Sequence, residues 1–176
     1  MGLNNVFRTS FVCILSGWLS ACATHIPEAI KKPPAENLSL QQVQKFPDKH
    51  RGKLIRWGGS IISSQNHEAQ TELNILAQAL DKDGEPQQGD QSYGRFIAVV
   101  KGFLDPAIYS KGRAITVSGR FESLEKRKID QFDYFYPIIN AEHIFLWDVP
   151  EKYDYYHYPY WYDPWYPYYN PYWHHR

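Results

Sequence analysis

Residues 55–61 read Ile-Arg-Trp-Gly-Gly-Ser-Ile, and this stretch indicates a sharply curved β-strand. Apolar residues alternate with polar or small ones, and a period of two is typical of a strand with one buried face. Gly58 and Gly59 lie at its centre, where glycine indicates a bulge or the bend that a small barrel needs at a corner. The segment therefore predicts a curved strand with Trp57 on its buried side.

Four more strands are predicted downstream. Residues 71–78 and 115–121 alternate in the same way, whereas residues 95–101 are apolar on both faces and indicate a central strand. The charged residues 123–128 are predicted as an exposed extension of the fourth strand. The fifth strand, residues 138–147, would place five side chains on one buried face: Ile139, Ala141, His143, Phe145 and Trp147.

Two short helices are predicted around these strands. Ser39 and Gln42 form a capping-box pattern, so a helix is expected to begin there and to end before Pro47. Asp105-Pro106 predicts a second helix of one or two turns through Tyr109. Because five short strands bury their edges best by closing into a ring, we expect an all-β fold, a small five-stranded OB-like barrel. An open sheet packed by the Ser39 helix is the alternative.

The N-terminus has the features of a bacterial signal peptide. Arg8 precedes an apolar run, residues 11–19, which is too short to cross a bilayer that needs about 20 apolar residues. Leu19-Ser20-Ala21-Cys22 resembles a lipobox, so Cys22 is predicted to be the acylated first residue of the mature chain. Ala23, rather than aspartate, then favours the outer membrane. The alternative is ordinary cleavage after Ala23, which would release an unacylated protein.

Charge and cysteine content restrict the possible partners. The 176-residue chain has 19 basic and 19 acidic residues, and loss of residues 1–21 removes Arg8 but no acidic side chain. The mature chain therefore offers no excess of positive charge for nucleic acid, which we exclude as the main partner. Cys13 leaves with the signal and Cys22 takes lipid, so no thiol remains for a disulfide.

The chain divides into four predicted parts: a signal peptide (1–21), a proline-containing flexible tether (22–38), the barrel domain (39–148) and an aromatic tail (149–176). The tail from Tyr153 holds most of the tyrosines, several prolines and no Ile, Leu or Val, so it is predicted to be extended or disordered. It is either an appendage with no fixed contact or a surface for lipid headgroups, an envelope glycan, another copy or a protein partner.

Candidate ligand-binding residues are aromatic. They are Trp57 in the barrel and Tyr160, Trp161 and Trp165 in the tail. For Trp57, filling the core is the stronger interpretation, and contact with a ligand is the alternative.

Candidate catalytic and metal-binding residues are few. His157, His174 and His175 share the tail with two aspartates, but their spacing matches no closed metal site, so no metal is predicted. The pairs Asp81/Asp83 and Asp130/Asp133 lie in turn-like stretches and are interpreted as solvated surface, and His143 as a core or barrel-end side chain. No residue pattern satisfies the requirements of a known catalytic site, and no cofactor is expected.

Several motifs, taken in order, resemble the Slp family of outer membrane lipoproteins. Besides the lipobox they are GKLIRWGG (52–59), SYGRF (92–96), GFLDP (102–106), GRAITVSG (112–119), and YP (136–137) before LW (146–147). The resemblance covers residues 13–148 and does not include the tail. It implies a lipid-anchored, palmitate-bearing protein of the outer membrane, associated with starvation and stationary phase, with Cys22 lipidated and no catalytic residues.

These observations together predict a non-catalytic lipoprotein that faces the periplasm and serves as an envelope-structural or binding module. The outer membrane bilayer is its expected partner, through acyl groups on Cys22. Two alternatives stay open: a binder of a small ligand or an envelope glycan, through the barrel or the tail, and an enzyme of unrecognised type.

Overall fold

Five strands form one sheet in the computed structural model, which describes residues 26–149. The strands are β1 (Leu54–Asn66), β2 (Gln70–Gln78), β3 (Gly94–Lys101), β4 (Ala114–Ile129) and β5 (Phe132–Leu146). They close into a barrel in the order β1-β2-β3-β5-β4. All neighbours are antiparallel except β3 and β5, which are parallel. The predicted all-β, OB-like barrel is confirmed, and the open sheet is not formed.

The core of the barrel contains the inward residues that the period-two pattern predicted. Ile55, Ile75 and Phe96 are fully buried, and Trp57 packs edge-to-face on Phe96 with ring centroids 5.4 Å apart. Such a pair adds about 0.5–1.5 kcal/mol to the stabilisation that burial of the two rings provides.

Two glycines allow neighbouring strands to approach closely. A Cβ atom on Gly59 would overlap the carbonyl oxygen of Leu76 on β2, and one on Gly119 would overlap that of Asn140 on β5. The register shift of β1 itself lies between Ile61 and Ser63, after the glycine pair. The predicted bend of this strand is thus made by close backbone approach at Gly59 and by a separate bulge.

The hairpin of β4 and β5 is longer than predicted. Residues 123–128 extend β4 on the surface, as predicted, and they pair with residues 133–138 as far as the turn at Asp130, which adopts φ +53°. The hydroxyl of Tyr134 accepts a hydrogen bond from the Arg95 backbone N–H (2.8 Å) and so ties β5 to the start of β3.

A bulge in β5 corrects the predicted position of His143. Ser118 pairs with His143, but the next residue, Gly119, pairs with Ala141, so Glu142 is the extra residue. The inward and outward faces exchange there. His143 is therefore exposed, and Ile144 packs against the core instead.

Within residues 26–149, three short helices precede the barrel: α1 (Glu28–Lys31), α2 (Leu40–Lys45) and α3 (Pro47–His50). The capping box of α2 is confirmed, because the Gln42 N–H donates to Ser39 Oγ (3.2 Å) and the Ser39 N–H donates to Gln42 Oε1 (2.8 Å).

The helix of one or two turns predicted at Asp105-Pro106 is reduced to one turn, which is too short to form a helix. The segment makes a single turn, in which the N–H groups of Ile108 and Tyr109 donate to the Asp105 carbonyl. The Asp105 side chain accepts from the Ala107 N–H (2.9 Å), as its predicted capping role requires. The chain then leads into β4, which begins at Ala114, and does not continue as a helix.

Candidate functional site

The N-terminal strap, which we define as residues 26–38, packs on the outside of the barrel: its helix α1 contacts β4 and β5, and side chains of β1 bond to its backbone. The sequence predicted this region as part of an extended tether, whereas it contains helix α1 and packs on the barrel. Ile30 is fully buried, and Leu38 is 5% exposed. The apolar side chains of the strap explain the difference, because they pack on the surface of the barrel. The prolines and charged residues of the segment do not indicate this contact.

Arg56 fastens the strap. Its Nη1 donates to the carbonyl oxygens of Ile30 (2.8 Å) and Lys31 (2.6 Å), at the C-terminal end of α1. A cation at this position satisfies carbonyls that have no partner inside the helix. Burial lowers the pKa of Arg56, and the charge of Asp81 opposes that shift. Sequence reasoning missed this residue, because Arg56 occupies an outward position of an alternating strand.

The strap meets three other parts of the barrel around Gly84. This glycine has φ +92°, and a Cβ atom there would overlap the Ile30 carbonyl oxygen. Thr116 Oγ1 of β4 donates to the Gly84 carbonyl (2.6 Å) and accepts from Trp147 Nε1 (3.0 Å). The strap and the residues that follow β5 therefore lie on the same side of the barrel.

A cleft of about 390 Å³ separates the strap and α2 from the barrel wall. Leu38 and Gln41 line one side, Arg56, Trp57 and Gln78 line the other, and Tyr93 lies at the mouth. Of the predicted ligand-binding residues, Trp57 is the one that the structure describes. It is 8% exposed, and its Nε1 donates to the Leu38 carbonyl (2.8 Å), so it is a core side chain with one edge in the cleft.

The other predicted site residues lie outside the described residues. These are Cys22, Tyr160, Trp161 and Trp165, together with the three tail histidines.

The carboxylate pairs singled out from the sequence serve turns and surface contacts. Asp81 Oδ1 accepts from the N–H groups of Asp83 and Glu85 (both 2.9 Å), which stabilises the turn after β2. Asp133 pairs with Lys126 (2.7 Å) on the surface of the long hairpin. Within residues 26–149, no group of three or more metal-ligating side chains is present.

A second charged cluster lies where the hairpin passes β2. Arg127 donates to Glu72 (2.8 Å) and makes two hydrogen bonds to Glu125 (2.8 and 2.9 Å). The hydrogen bond to Glu125 is the main cause that raises the pKa of Arg127, and the same bond lowers the pKa of Glu125. This arrangement joins two strands and leaves no free acid or base in a cavity.

The described helices are all too short or too polar to cross a membrane.

Comparison with known proteins places these features in a family. The chain is 30% identical over 151 residues to the uncharacterized lipoprotein YeaY of Escherichia coli K12, covering 85% of this chain and 75% of that protein. It is 29% identical over 149 residues to the outer membrane protein Slp of the same organism, covering 84% and 78%.

Among solved structures, a small single-stranded DNA-binding protein from Streptomyces coelicolor matches with a TM-score of 0.38 and 14% identity, covering 54% of this chain and 94% of that one. A likeness of this size supports no statement about function.

The profile of the outer membrane lipoprotein Slp family matches residues 19–173. The motifs predicted a resemblance over residues 13–148. At its C-terminal end the profile match extends beyond that range and includes most of the aromatic tail. The predicted resemblance is confirmed: the chain belongs to the outer membrane lipoprotein Slp family.

Proposed function

We propose that the protein is acylated at Cys22 and thereby holds a non-catalytic β-barrel close to the outer membrane, on its periplasmic side. Membership of the family makes it an outer membrane lipoprotein. The lipobox at residues 19–22 supplies the acceptor cysteine. One acyl chain gives only marginal binding and two or more give a stable anchor, so a fully acylated Cys22 would hold the chain on the bilayer.

The packing of the strap is the observation that carries the proposal. The N–H groups of Ile30 and Lys31 donate to the Pro27 carbonyl (2.9 and 3.0 Å), and Arg56 holds the end of the same turn. The chain is thus fixed to the barrel from Pro27 onward. Five residue steps separate Pro27 from Cys22, which span at most about 18 Å. The barrel would therefore lie almost against the headgroups, with the strap side toward them.

A structural or binding role is proposed for the barrel, rather than catalysis. Asp81 and Asp133 are engaged in a turn and a surface pair, and His143 is exposed on a strand rather than placed in a cavity. Incubation of the mature protein with cell-wall and lipopolysaccharide fragments tests this assignment. No new product is expected, and a product that requires the protein would contradict it.

The acylation site is tested by metabolic labelling with an alkyne fatty acid. Cys22→Ser should abolish the label and leave the precursor uncut. Cys13→Ser is the matched control, because it removes the other cysteine without touching the lipobox, and it should label normally. Label retained by Cys22→Ser would contradict the proposal.

The short tether is tested by inserting 20 Gly/Ser residues between Thr24 and His25 in the acylated protein. Cys22 is the single cysteine of the predicted mature chain, and acylation would block its thiol. A cysteine introduced by Lys128→Cys would then be the one thiol to which a dye can be attached. Energy transfer from this dye to a headgroup acceptor in vesicles should fall on insertion, since a flexible linker of this length adds about 25 Å. Unchanged transfer would argue that something other than the tether fixes the distance.

A further inference from the structure

The cleft between the strap and the barrel has the size and the walls of a binding site. Its volume of about 390 Å³ lies in the lower part of the range for small-ligand pockets, roughly 300–1,000 Å³. Its walls are held by internal hydrogen bonds: Gln41 Nε2 donates to the Tyr93 carbonyl (2.9 Å), and Gln78 Oε1 accepts from Ser60 (3.0 Å). The wall side chains are therefore held in place by the protein's own hydrogen bonds.

One positive charge lines this cleft, and no acidic side chain does so among the described residues. Arg56 is 8% exposed, and its Nε is buried with no hydrogen-bond partner in the described part of the chain. Its Nη1 is used by two backbone carbonyls, and the charge of Asp81 acts on it without forming a salt bridge within residues 26–149. A buried guanidinium that makes no salt bridge is costly, and an anion bound beside it would reduce that cost.

The remaining lining favours a ligand that is polar as well as anionic. Gln41 is exposed at the rim, Gln78 reaches the wall, and Tyr93 is 49% exposed at the mouth. Amide groups bind hydroxyl and acetamido groups, and an exposed aromatic ring covers the apolar face of a sugar.

We propose that this cleft binds an acidic sugar, with the carboxylate on Arg56, the polar groups of the ring on Gln41 and Gln78, and one sugar face on Tyr93. Two sources of such sugars occur in the envelope: peptidoglycan strands from which the stem peptide has been removed, which frees the lactyl carboxylate of the amino sugar, and the octulosonic acid of lipopolysaccharide. The inference goes beyond the proposed function, and it does not depend on acylation of Cys22.

The test is a titration of the full mature chain carrying Cys22→Ser, followed by NMR of the tryptophan indole N–H signals. The Trp57 indole donates to Leu38 in the cleft wall and serves as the reporter. The probes are N-acetylmuramic acid, 3-deoxy-octulosonic acid and N-acetylglucosamine, which lacks the carboxylate. At least one acid should shift the Trp57 signal saturably, and N-acetylglucosamine should bind about tenfold or more weakly. Which acid binds identifies the source of the ligand.

Variants separate binding from folding. Tyr93→Ala alters an exposed side chain, so the barrel should remain folded while affinity falls severalfold. Phe103→Ala is the matched control: this ring is 73% exposed and does not line the cleft, and affinity should be unchanged. Arg56→Lys keeps the charge but loses the planar fork, and it should weaken the acid about tenfold and N-acetylglucosamine little.

Three results would overturn the proposal: no saturable shift with either acid, equal affinity for the acidic and neutral sugars, or equal effects of Tyr93→Ala and Phe103→Ala.

Discussion

Arg56 shows how one side chain can hold a segment of chain to a barrel. Replacement by alanine removes the donors to the Ile30 and Lys31 carbonyls and leaves these groups unsatisfied beneath the strap. We expect Arg56→Ala to lower the free energy of unfolding by about 1–3 kcal/mol, measured by urea denaturation. The strap should also loosen, so trypsin should cleave after Lys31 more quickly than in the unaltered protein; the bond after Lys32 is protected by Pro33.

Arg120→Ala is the control for this prediction. Arg120 also donates to a backbone carbonyl, that of Gly52 (3.1 Å), and pairs with Glu142 (2.9 Å), but its side chain is 60% exposed. An exposed pair of this kind contributes at most about 1 kcal/mol. Equal effects of the two substitutions, in stability and in cleavage near Lys31, would show that Arg56 is not what holds the strap.

Gly59 is required by the approach of β2 to β1. A Cβ atom there would overlap the Leu76 carbonyl, so Gly59→Ala must push the two strands apart. We expect a loss of about 1–3 kcal/mol or more, which is typical of overpacking. Gly89→Ala is the matched control, because a Cβ atom at that position meets nothing within 4 Å. A stable Gly59→Ala protein would show that the barrel tolerates a wider strand separation at this corner.

At the scale of elements, the sequence predicts correctly the helix starts and strand faces that depend on residues close together in the chain. The capping box at Ser39 and the alternation around Trp57 gave correct elements, because a cap and a buried face depend on residues close in sequence. The position of His143 depended instead on a bulge at Glu142, which arises from pairing with β4. A period-two pattern carries no signal for one inserted residue, so it predicts His143 on the buried face, where Ile144 packs instead.

The strap and the cleft could not be predicted for a related reason. Ile30 and Leu38 are apolar residues in a proline-containing segment, and their partners on the barrel are distant in sequence. The sequence indicates Trp57 as a candidate, whereas Arg56 is one of the polar residues that alternate with the apolar ones in the same strand, and nothing in that pattern singles it out. The signal available in the sequence is that the predicted tether contains apolar residues. Such residues indicate that part of the tether covers an outer face of the barrel.

The long hairpin predicts a pH-dependent contribution to stability. The hydrogen bond that Arg127 donates to Glu125 holds the pKa of Glu125 below its usual value of 4.5. The ionised form is therefore favoured in the folded state, so this stabilisation is present above about pH 4.5 and is lost as the pH falls through the lowered pKa. Because the Glu125 side chain is half exposed, the contribution should be under about 1 kcal/mol.

Urea unfolding of the unaltered protein and of Arg127→Met at pH 7 and pH 3 measures this contribution. The difference in unfolding free energy between the two should narrow at pH 3. Lys128→Met, which removes an adjacent exposed cation, should show no comparable narrowing. A difference that stays constant or widens on acidification would contradict the assignment.

At the scale of the whole molecule, both ends of the described chain lie on one side of the barrel. Helix α1 contacts Gly84, and Gly84 is linked through Thr116 to Trp147, just before the aromatic tail begins. The first and last described segments of the chain are thus neighbours on that side of the barrel.

Truncation tests where the folded unit ends. The buried residues of the described chain run from Ile30 to Trp147, and the segment from Tyr153 onward has no Ile, Leu or Val. Deleting residues 153–176 should therefore change the melting temperature by no more than a few degrees.

Deleting residues 147–176 also removes Trp147, which donates to Thr116 (3.0 Å) and packs on Phe145 with ring centroids 4.7 Å apart. Loss of a buried tryptophan costs about 3–5 kcal/mol, so this longer deletion should lower the melting temperature by well over ten degrees. If the shorter deletion destabilised the protein as much as the longer one, the tail would have to pack on the barrel and the domain boundary would move beyond Val149.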